Sequence, residues 1–165
     1  MAPPSPHLLE KAVPLDPYVL FAQWYLAAEA AELPEPSAMT LATAAASGAP
    51  SARMVLLRGF DSRGFAFYTN YRSRKGEELA ENPRAALVLH WPQLERQIRI
   101  EGAVEKLSAA ESDAYFRTRP RGHRLGAHVS PQSEVIPGRQ LLEDRLAQLE
   151  AQYAAADDVP RPEHW

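Results

Sequence analysis

Residues 53–76 have the sequence RMVLLRGFDSRGFAFYTNYRSRKG, which is the most informative part of the chain for its fold and its chemistry. Its two apolar runs, separated by turn residues, predict short strands. A helix is predicted to begin at Ser73, so its first residues, Arg74 and Lys75, are cationic. Because a helix N-terminus carries partial positive charge, cations there are unfavourable unless an anion neutralises them. The stretch therefore predicts a phosphate site at this helix start.

Further groups suited to anions lie on both sides of this helix in the sequence. Arg53 is at the edge of a predicted strand, and Tyr115 and Arg119 share one face of a later helix because they are four residues apart. A phenol and a guanidinium suit a second phosphate. Arg58 would point away from Arg53 on a regular strand, so it would serve another ligand unless a bulge intervenes. The alternatives, a solvated basic turn and an exposed helix end, remain open from the pattern alone.

The composition is that of an ordinary globular domain. The 165 residues are 45% hydrophobic and 24% charged, with a net charge of -3 and no cysteine. The lack of cysteine excludes disulfides and thiolate chemistry. The net charge differs from that of a polycation that binds nucleic acid or membranes. The five histidines show no metal-ligand spacing, and neither a secretory signal nor an apolar run of about 20 residues is present. We therefore expect a cytoplasmic protein with no metal, no nucleic acid and no membrane partner.

Consecutive short strands with turn signals favour a mainly β fold, a small antiparallel barrel with peripheral helices. Residues 65–70 predict one strand, and the apolar residues 85–91 predict another that is buried on both faces. A last helix is expected over residues 139–155. We expect the proline-rich residues 1–15 to be disordered and residues 16–165 to form a single domain.

Helix boundaries are marked by capping residues. Asp16 and Pro17 predict a helix start, as N-cap and first helical residue. Ser108 and Glu111 predict a capping box for a short helix that ends before Pro120. The residues after Pro120 are rich in proline, glycine and serine, so a loop is expected there.

Three polar residues are further candidates for ligand contacts. Gln97 lies on the polar side of a predicted strand, where its amide could donate to and accept from the edge of a heterocycle. Gln132 and Ser133 lie in the predicted loop and could donate to a phosphate. The alternatives, a surface strand residue and an ordinary polar loop, remain open. No residue is assigned as catalytic.

Three blocks of the sequence together resemble the pyridoxamine 5'-phosphate oxidase family. They are SARMVLLRGFDSRGFAFYTNYRSRKGEELAENPRAALVLHW at residues 51–91, LERQIRIEGAVEKLS at 94–108 and YFRTRPRGHRLGAHVSPQS at 115–133. The resemblance extends over residues 16–165. It implies a split β-barrel that binds flavin mononucleotide (FMN) at a homodimer interface.

The resemblance also implies two sets of binding residues. The set for FMN, with Arg53 toward the phosphate and Gln97 near the flavin ring, is Arg53, Met54, Val55, Leu56, Leu57, Arg58, Tyr68, Thr69, Arg74, Lys75, Gln97, Gln132 and Ser133. The set for the phosphate of the substrate is Arg58, Tyr115, Arg119 and His123. The implied reaction is FMN-dependent oxidation of pyridoxamine or pyridoxine 5'-phosphate to pyridoxal 5'-phosphate, with O2 as acceptor and H2O2 as product.

The sequence departs from the family pattern at several positions. Family members usually have lysine at the position of Arg58 and serine at that of His123, and their N-terminal substrate-covering segment has no match here. They also continue past the position of Trp165 with a segment that contacts flavin, substrate and the dimer partner, so we expect this sequence to be either a fragment or a shortened protein. The alternatives are a related split-barrel flavoprotein, such as a flavin reductase-like or phenazine-pathway oxidase, and a non-catalytic binder of FMN or pyridoxal phosphate. A nucleic-acid binder that uses the basic residues 117–124 is disfavoured by the net charge.

Overall fold

Short strands fill the middle of the chain, and helices precede and follow them. The computed structural model describes residues 8–9, 11, 13–156 and 158–165. The elements, in chain order, are α1 (Pro17–Ala30), β1 (Ala38–Ala44), β2 (Pro50–Leu56), β3 (Gly59–Asp61), β4 (Gly64–Ala66), α2 (Arg74–Glu81), β5 (Arg84–Trp91), a 3-10 helix (Pro92–Leu94), β6 (Arg96–Ala103), α3 (Ala109–Thr118), α4 (Arg121–Val129) and α5 (Arg139–Gln152).

The chain divides into two compact units, each formed by several segments. The first comprises the described residues of Met1–Thr43, Pro50–Tyr68 and Arg84–Gly102, and the second comprises those of Ala44–Ala49, Thr69–Pro83 and Ala103–Trp165. The expectation of a single domain stays a prediction. The expectation of disorder at the N-terminus falls mostly on residues 1–7, 10 and 12, which lie outside the described residues.

An open four-stranded sheet forms most of the first unit. Its strand order is β2-β1-β5-β6, so β2 and β6 are its edges. β1 and β5 are antiparallel, with Leu41 opposite Leu87. β3 and β4 form a separate hairpin in which Phe60 is opposite Phe65. The strand predicted over residues 65–70 is therefore shorter than expected, since β4 ends at Ala66.

The core of the first unit lies on one face of this sheet. Met39 and Leu41 of β1 and Leu89 of β5 are completely buried, and each such side chain contributes about 1.5–3 kcal/mol of hydrophobic free energy. From α1, Phe21 packs edge-on against Phe60, with ring centroids 4.7 Å apart. α1 begins as predicted, because the Asp16 carboxylate accepts a hydrogen bond from the Tyr18 N–H at 2.8 Å.

β5 is buried on one face only, so the prediction of burial on both faces is wrong. Leu87, Leu89 and Trp91 alternate toward the core, whereas His90 is exposed and Val88 is half-buried. The apolar sequence of residues 85–91 does not require burial on both faces, because β-branched and small residues also occupy the partly covered face of an antiparallel sheet.

Helices α2 to α5 and the C-terminal residues form most of the second unit. α3 begins with the predicted capping box, in which the Ser108 N–H and hydroxyl both donate to the Glu111 carboxylate. α4 occupies the segment in which a loop was predicted, and that prediction is wrong. α4 forms because Leu125 and Val129, four residues apart, bury one apolar face and offset the poor helix propensity of its glycines. Within the described part of the chain, every helix is too short or too polar to span a bilayer.

Candidate functional site

A cleft of about 360 Å³ lies in the second unit. This volume falls in the range of roughly 300–1,000 Å³ that is usual for small-molecule sites. Its lining residues come from the segment before α2, the end of α3, one face of α4, the loop after α4 and the C-terminus: Asn70, Arg119, Gly122, His123, Gly126, Ala127, Ser130, Gln132 and Trp165. Three of these, Arg119, His123 and Gln132, were predicted from the sequence as ligand-binding residues.

α4 supplies one wall of the cleft. Gly122, His123, Gly126 and Ala127 share a face because they are three or four residues apart. A Cβ atom built on Gly122 or Gly126 would meet no heavy atom of the described residues within 4 Å, so this wall borders open space. The glycines therefore widen the cleft, while the adjacent face of the helix, with Leu125 and Val129, is buried in the unit.

Arg119 supplies a positive charge to the cleft. It is the C-cap of α3, and its Cζ lies 4.8 Å from the centroid of the Trp165 ring. Tyr115 stacks on the same indole, with ring centroids 6.1 Å apart and planes that differ by 1°. The predicted pair Tyr115 and Arg119 is therefore brought together through a third residue, Trp165, rather than by helix spacing alone.

The N-terminus of α2 is organised by Ser73, which is completely buried. Its hydroxyl donates to the Asn70 carbonyl at 2.6 Å and accepts from the Lys75 ammonium at 2.9 Å. It also accepts from the Gly76 N–H at 3.4 Å, so it is the predicted N-cap. Lys75 Nζ donates in addition to Gln132 Oε1 at 3.2 Å. Two residues predicted to bind one phosphate, Lys75 and Gln132, are thus in contact.

The cationic helix start has a partial local explanation that the sequence interpretation overlooked. Arg74 Nε donates to the Glu78 carboxylate at 2.9 Å, and Glu78 is almost completely buried. Glu77 adds a second negative charge in the first turn. Because these acids offset some of the repulsion between the cations and the helix end, an anion is less strictly required here than the sequence suggested.

The donor set near this helix nevertheless fits a phosphate. The side-chain oxygen of Thr69, directly before Asn70, is buried and has no hydrogen-bond partner among the described residues. An unsatisfied buried hydroxyl is costly, so a ligand that accepts its proton would stabilise it. With the Lys75 ammonium and the Gln132 amide, Thr69 forms a set of donors suited to phosphate oxygens. Ser133 is exposed and has a left-handed backbone, with φ of 67°.

The remaining predicted residues lie in the first unit. Arg53 is bonded within its own hairpin, because its guanidinium donates to the Leu41 carbonyl at 3.3 Å, to Thr43 Oγ1 at 2.5 Å and to Ser51 Oγ. Val55 and Leu57 are buried in the core, so their side chains are not accessible to a ligand. The side chains of the others differ in exposure, with Met54, Arg58 and Gln97 exposed and Leu56 and Tyr68 half-buried.

The basic residues 117–124 are partly used inside the second unit. Arg121 donates to the carbonyls of Tyr153 and Ala156, at the end of α5. Arg124 pairs with Asp158. These arginines therefore fasten the C-terminal part of the unit, which is a structural role and tells against a basic surface for nucleic acid.

Several lining residues were missed by sequence reasoning. The spacing of Gly122 and Gly126 is a signal that could have been found, because it places two positions without side chains on one helix face. Asn70, Ser130 and Trp165 carried no comparable signal, since their approach to the cleft depends on tertiary contacts.

Comparison with known proteins agrees with this fold. The family described as pyridoxamine 5'-phosphate oxidase matches residues 26–153. A pyridoxine/pyridoxamine 5'-phosphate oxidase from Nostoc punctiforme is 59% identical over 158 residues, which cover 96% of this chain and 73% of the relative. The enzyme of the same name from Thermosynechococcus vestitus is 60% identical, over 96% of this chain and 74% of its own length.

A solved structure is also similar over almost the whole chain. PhzG from Burkholderia lata, in complex with tetrahydrophenazine-1-carboxylic acid, has a TM-score of 0.88 and 32% sequence identity, over 96% of this chain and 78% of its own. These likenesses confirm the predicted fold class, an antiparallel sheet of the split-barrel type with peripheral helices. The chain belongs to the pyridoxamine 5'-phosphate oxidase family.

Proposed function

We propose that the protein is an FMN-dependent oxidase of phosphorylated B6 vitamers. It would convert pyridoxamine 5'-phosphate or pyridoxine 5'-phosphate to pyridoxal 5'-phosphate, with O2 as electron acceptor and H2O2 as product. The observation that carries this proposal is the cleft of the second unit, in which Arg119, His123 and Gln132 meet, in a chain of this family. Membership of the family supports FMN as the cofactor.

The FMN phosphate is assigned to the donors around the start of α2. Lys75 would supply an ammonium, Thr69 its unpartnered hydroxyl, and Gln132 an amide. Arg74 and Ser133 are assigned to the same group by the family resemblance. FMN, when bound, supplies the two-electron acceptor that a carbon–hydrogen oxidation needs and returns the electrons to O2.

The remaining FMN contacts are proposed from the resemblance. They are made by the strand residues Arg53, Met54, Val55, Leu56, Leu57, Arg58, Tyr68 and Gln97. Gln97 is exposed on β6 and can both donate to and accept from the edge of the flavin ring. By the same resemblance, Arg53 would lie toward the FMN phosphate.

The phosphate of the substrate is assigned to Arg119 and Tyr115, with His123 and Arg58 as further ligands. A guanidinium donates two parallel hydrogen bonds to a phosphate, which fixes its orientation as well as its position. The chain's contribution to catalysis would be this placement of the reacting carbon. For pyridoxamine phosphate, one O2 and one water are consumed per aldehyde, and ammonia and H2O2 are released. For pyridoxine phosphate, O2 alone is consumed.

A second candidate is a phenazine-pathway type of oxidase. It is favoured by the likeness to PhzG, whose structure contains tetrahydrophenazine-1-carboxylic acid. The carboxylate of such a compound could bind Arg119 in place of a phosphate. A non-catalytic binder of FMN or pyridoxal phosphate is the third candidate.

A homodimer and a cytoplasmic location are proposed only from the family resemblance and the sequence.

One experiment separates these candidates. The purified chain is supplied with FMN, and peroxide release is measured after addition of each B6 phosphate ester or of a reduced phenazine carboxylic acid. We expect peroxide with the B6 esters. Peroxide only with the phenazine compound would support the second candidate, and bound FMN without peroxide from any of them would support the third.

A further inference from the structure

We propose that Trp165 is a positioning residue, which holds Arg119 in the orientation that binds the phosphate of the substrate. This inference rests on the proposed function and deepens it. The indole lines the cleft, yet only 8% of the residue is exposed. Most of its surface is therefore used in contacts with its neighbours.

The indole contacts two of the residues that are assigned to the phosphate of the substrate. Arg119 Cζ lies 4.8 Å from the ring centroid, within the distance of a cation–π interaction. Tyr115 stacks parallel to the ring at 6.1 Å, and Phe116 packs edge-on against it at 4.9 Å. One side chain thus fixes both members of the predicted phosphate pair.

Trp165 is itself held against α3 by an ion pair. Arg161 Nε contacts the Asp113 carboxylate of α3 at 2.7 Å, and the same guanidinium donates to the Trp165 carbonyl. The preceding residue, His164, makes two further hydrogen bonds. Its carbonyl accepts from the Tyr71 N–H at 2.6 Å, and the imidazole of His164 contacts the Ala127 carbonyl at 3.1 Å. The indole is therefore placed before any ligand arrives.

A fixed orientation of the Arg119 side chain favours ligand binding, because a free arginine side chain has many rotamers. Ordering such a side chain when a ligand binds costs conformational entropy, which lowers affinity. Arg119 is half-buried and lies over an aromatic face, so most of this side-chain entropy is lost during folding rather than when the ligand binds. Removal of the indole should leave the charge in place but weaken its binding of a phosphate ester.

The test uses full-length Trp165→Leu, Arg119→Ala and the double variant. The dissociation constant of pyridoxal 5'-phosphate is measured by calorimetry for each protein, together with FMN content and urea unfolding. We expect Trp165→Leu to bind the ester about 3- to 10-fold more weakly, the range of a partly desolvated cation–π contact. In the Arg119→Ala background the same change should have a smaller effect, since only the stacking on Tyr115 is then lost.

The measured affinities distinguish the positioning role of Trp165 from the proposed function. Equal affinities of wild type and Trp165→Leu, or the same loss in both backgrounds, would overturn the positioning role while leaving the proposed function intact. A folded wild-type protein that binds no phosphate ester would overturn the proposed function and this inference with it. If Trp165→Leu does not fold, Trp165→Phe is compared in the two backgrounds: a loss of affinity that is larger when Arg119 is present supports the proposal, and an equal loss in both contradicts it.

Discussion

Lys75 Nζ donates a hydrogen bond to Gln132 Oε1 at 3.2 Å, although the two residues are 57 positions apart in the sequence. The contact joins the first turn of α2 to the loop that follows α4, where Gln132 lines the cleft. Lys75 also donates to the buried N-cap Ser73, so its ammonium is oriented on two sides. An oriented cation beside a helix N-terminus is a suitable phosphate ligand.

The first prediction concerns this cation and its neighbour. The double variant Arg74→Ala, Lys75→Ala should bind FMN at least about 100-fold more weakly, because each lost charged hydrogen bond contributes about 1.5–3 kcal/mol. FMN binding is followed by quenching of flavin fluorescence. Arg72→Ala is the matched control, since Arg72 is exposed and precedes the helix. Unchanged FMN affinity in the double variant would show that the phosphate is held elsewhere.

The second prediction separates the two phosphates. Arg119→Ala should raise the KM for pyridoxine 5'-phosphate by about 10- to 100-fold, because one charged hydrogen-bonding group is lost. FMN content should stay at the wild-type level. Arg117→Ala, an exposed residue of the same helix, is the control and should have neither effect. Equal losses of FMN and substrate affinity in Arg119→Ala would mean that the two sets of residues have been exchanged.

The third prediction uses the glycine wall of the cleft. Gly126→Ala should increase the free energy of unfolding by about 0.5–1 kcal/mol, since alanine is the better helix former and its Cβ meets no atom within 4 Å. The added methyl group would project into the cleft and should weaken binding of the phosphate ester. Urea unfolding and calorimetry measure the two effects. A stabilised variant with wild-type affinity would place the ligand away from α4.

The fourth prediction concerns pH and the first unit. Burial raises the pKa of Tyr25 above its ordinary value of 10.0, with Glu29 and Glu35 adding to the effect and Arg58 opposing it. Because the folded state favours the neutral phenol, the stability linked to this group is present below the unfolded pKa. It is lost as the pH rises through the higher folded pKa.

Tyr25→Phe should remove that loss. The urea midpoints of wild type and variant are compared at about pH 8 and about pH 11, on either side of the ordinary tyrosine pKa. The wild type should lose more stability than the variant between these values. A parallel decline of both proteins would show that the phenol titrates normally.

The sequence predicted those features that depend on neighbouring residues. The N-cap at Ser73 and the capping box of Ser108 and Glu111 were located correctly, because caps are set by residues within one helical turn. α4 was missed because its two glycines lower helix propensity, and only the burial of Leu125 and Val129 in the folded unit compensates.

The candidate site was predicted less completely. The cations were found, but their local partners were not: Arg53 is bonded to Thr43 and Ser51, and Arg74 is paired with Glu78. Trp165 was not predicted to line the cleft, because a C-terminal residue has no periodic pattern around it. Such contacts depend on how distant segments pack, which residue spacing does not encode.

Titration of the purified chain with FMN is the decisive test of the proposed flavin site. Folded protein is freed of ligand, its secondary structure is verified by circular dichroism, and FMN is titrated while flavin fluorescence is recorded. We expect saturable quenching and, after pyridoxine 5'-phosphate is added in air, release of H2O2 that depends on the bound FMN. A folded preparation that leaves flavin fluorescence unchanged at every FMN concentration would rule out the proposed function.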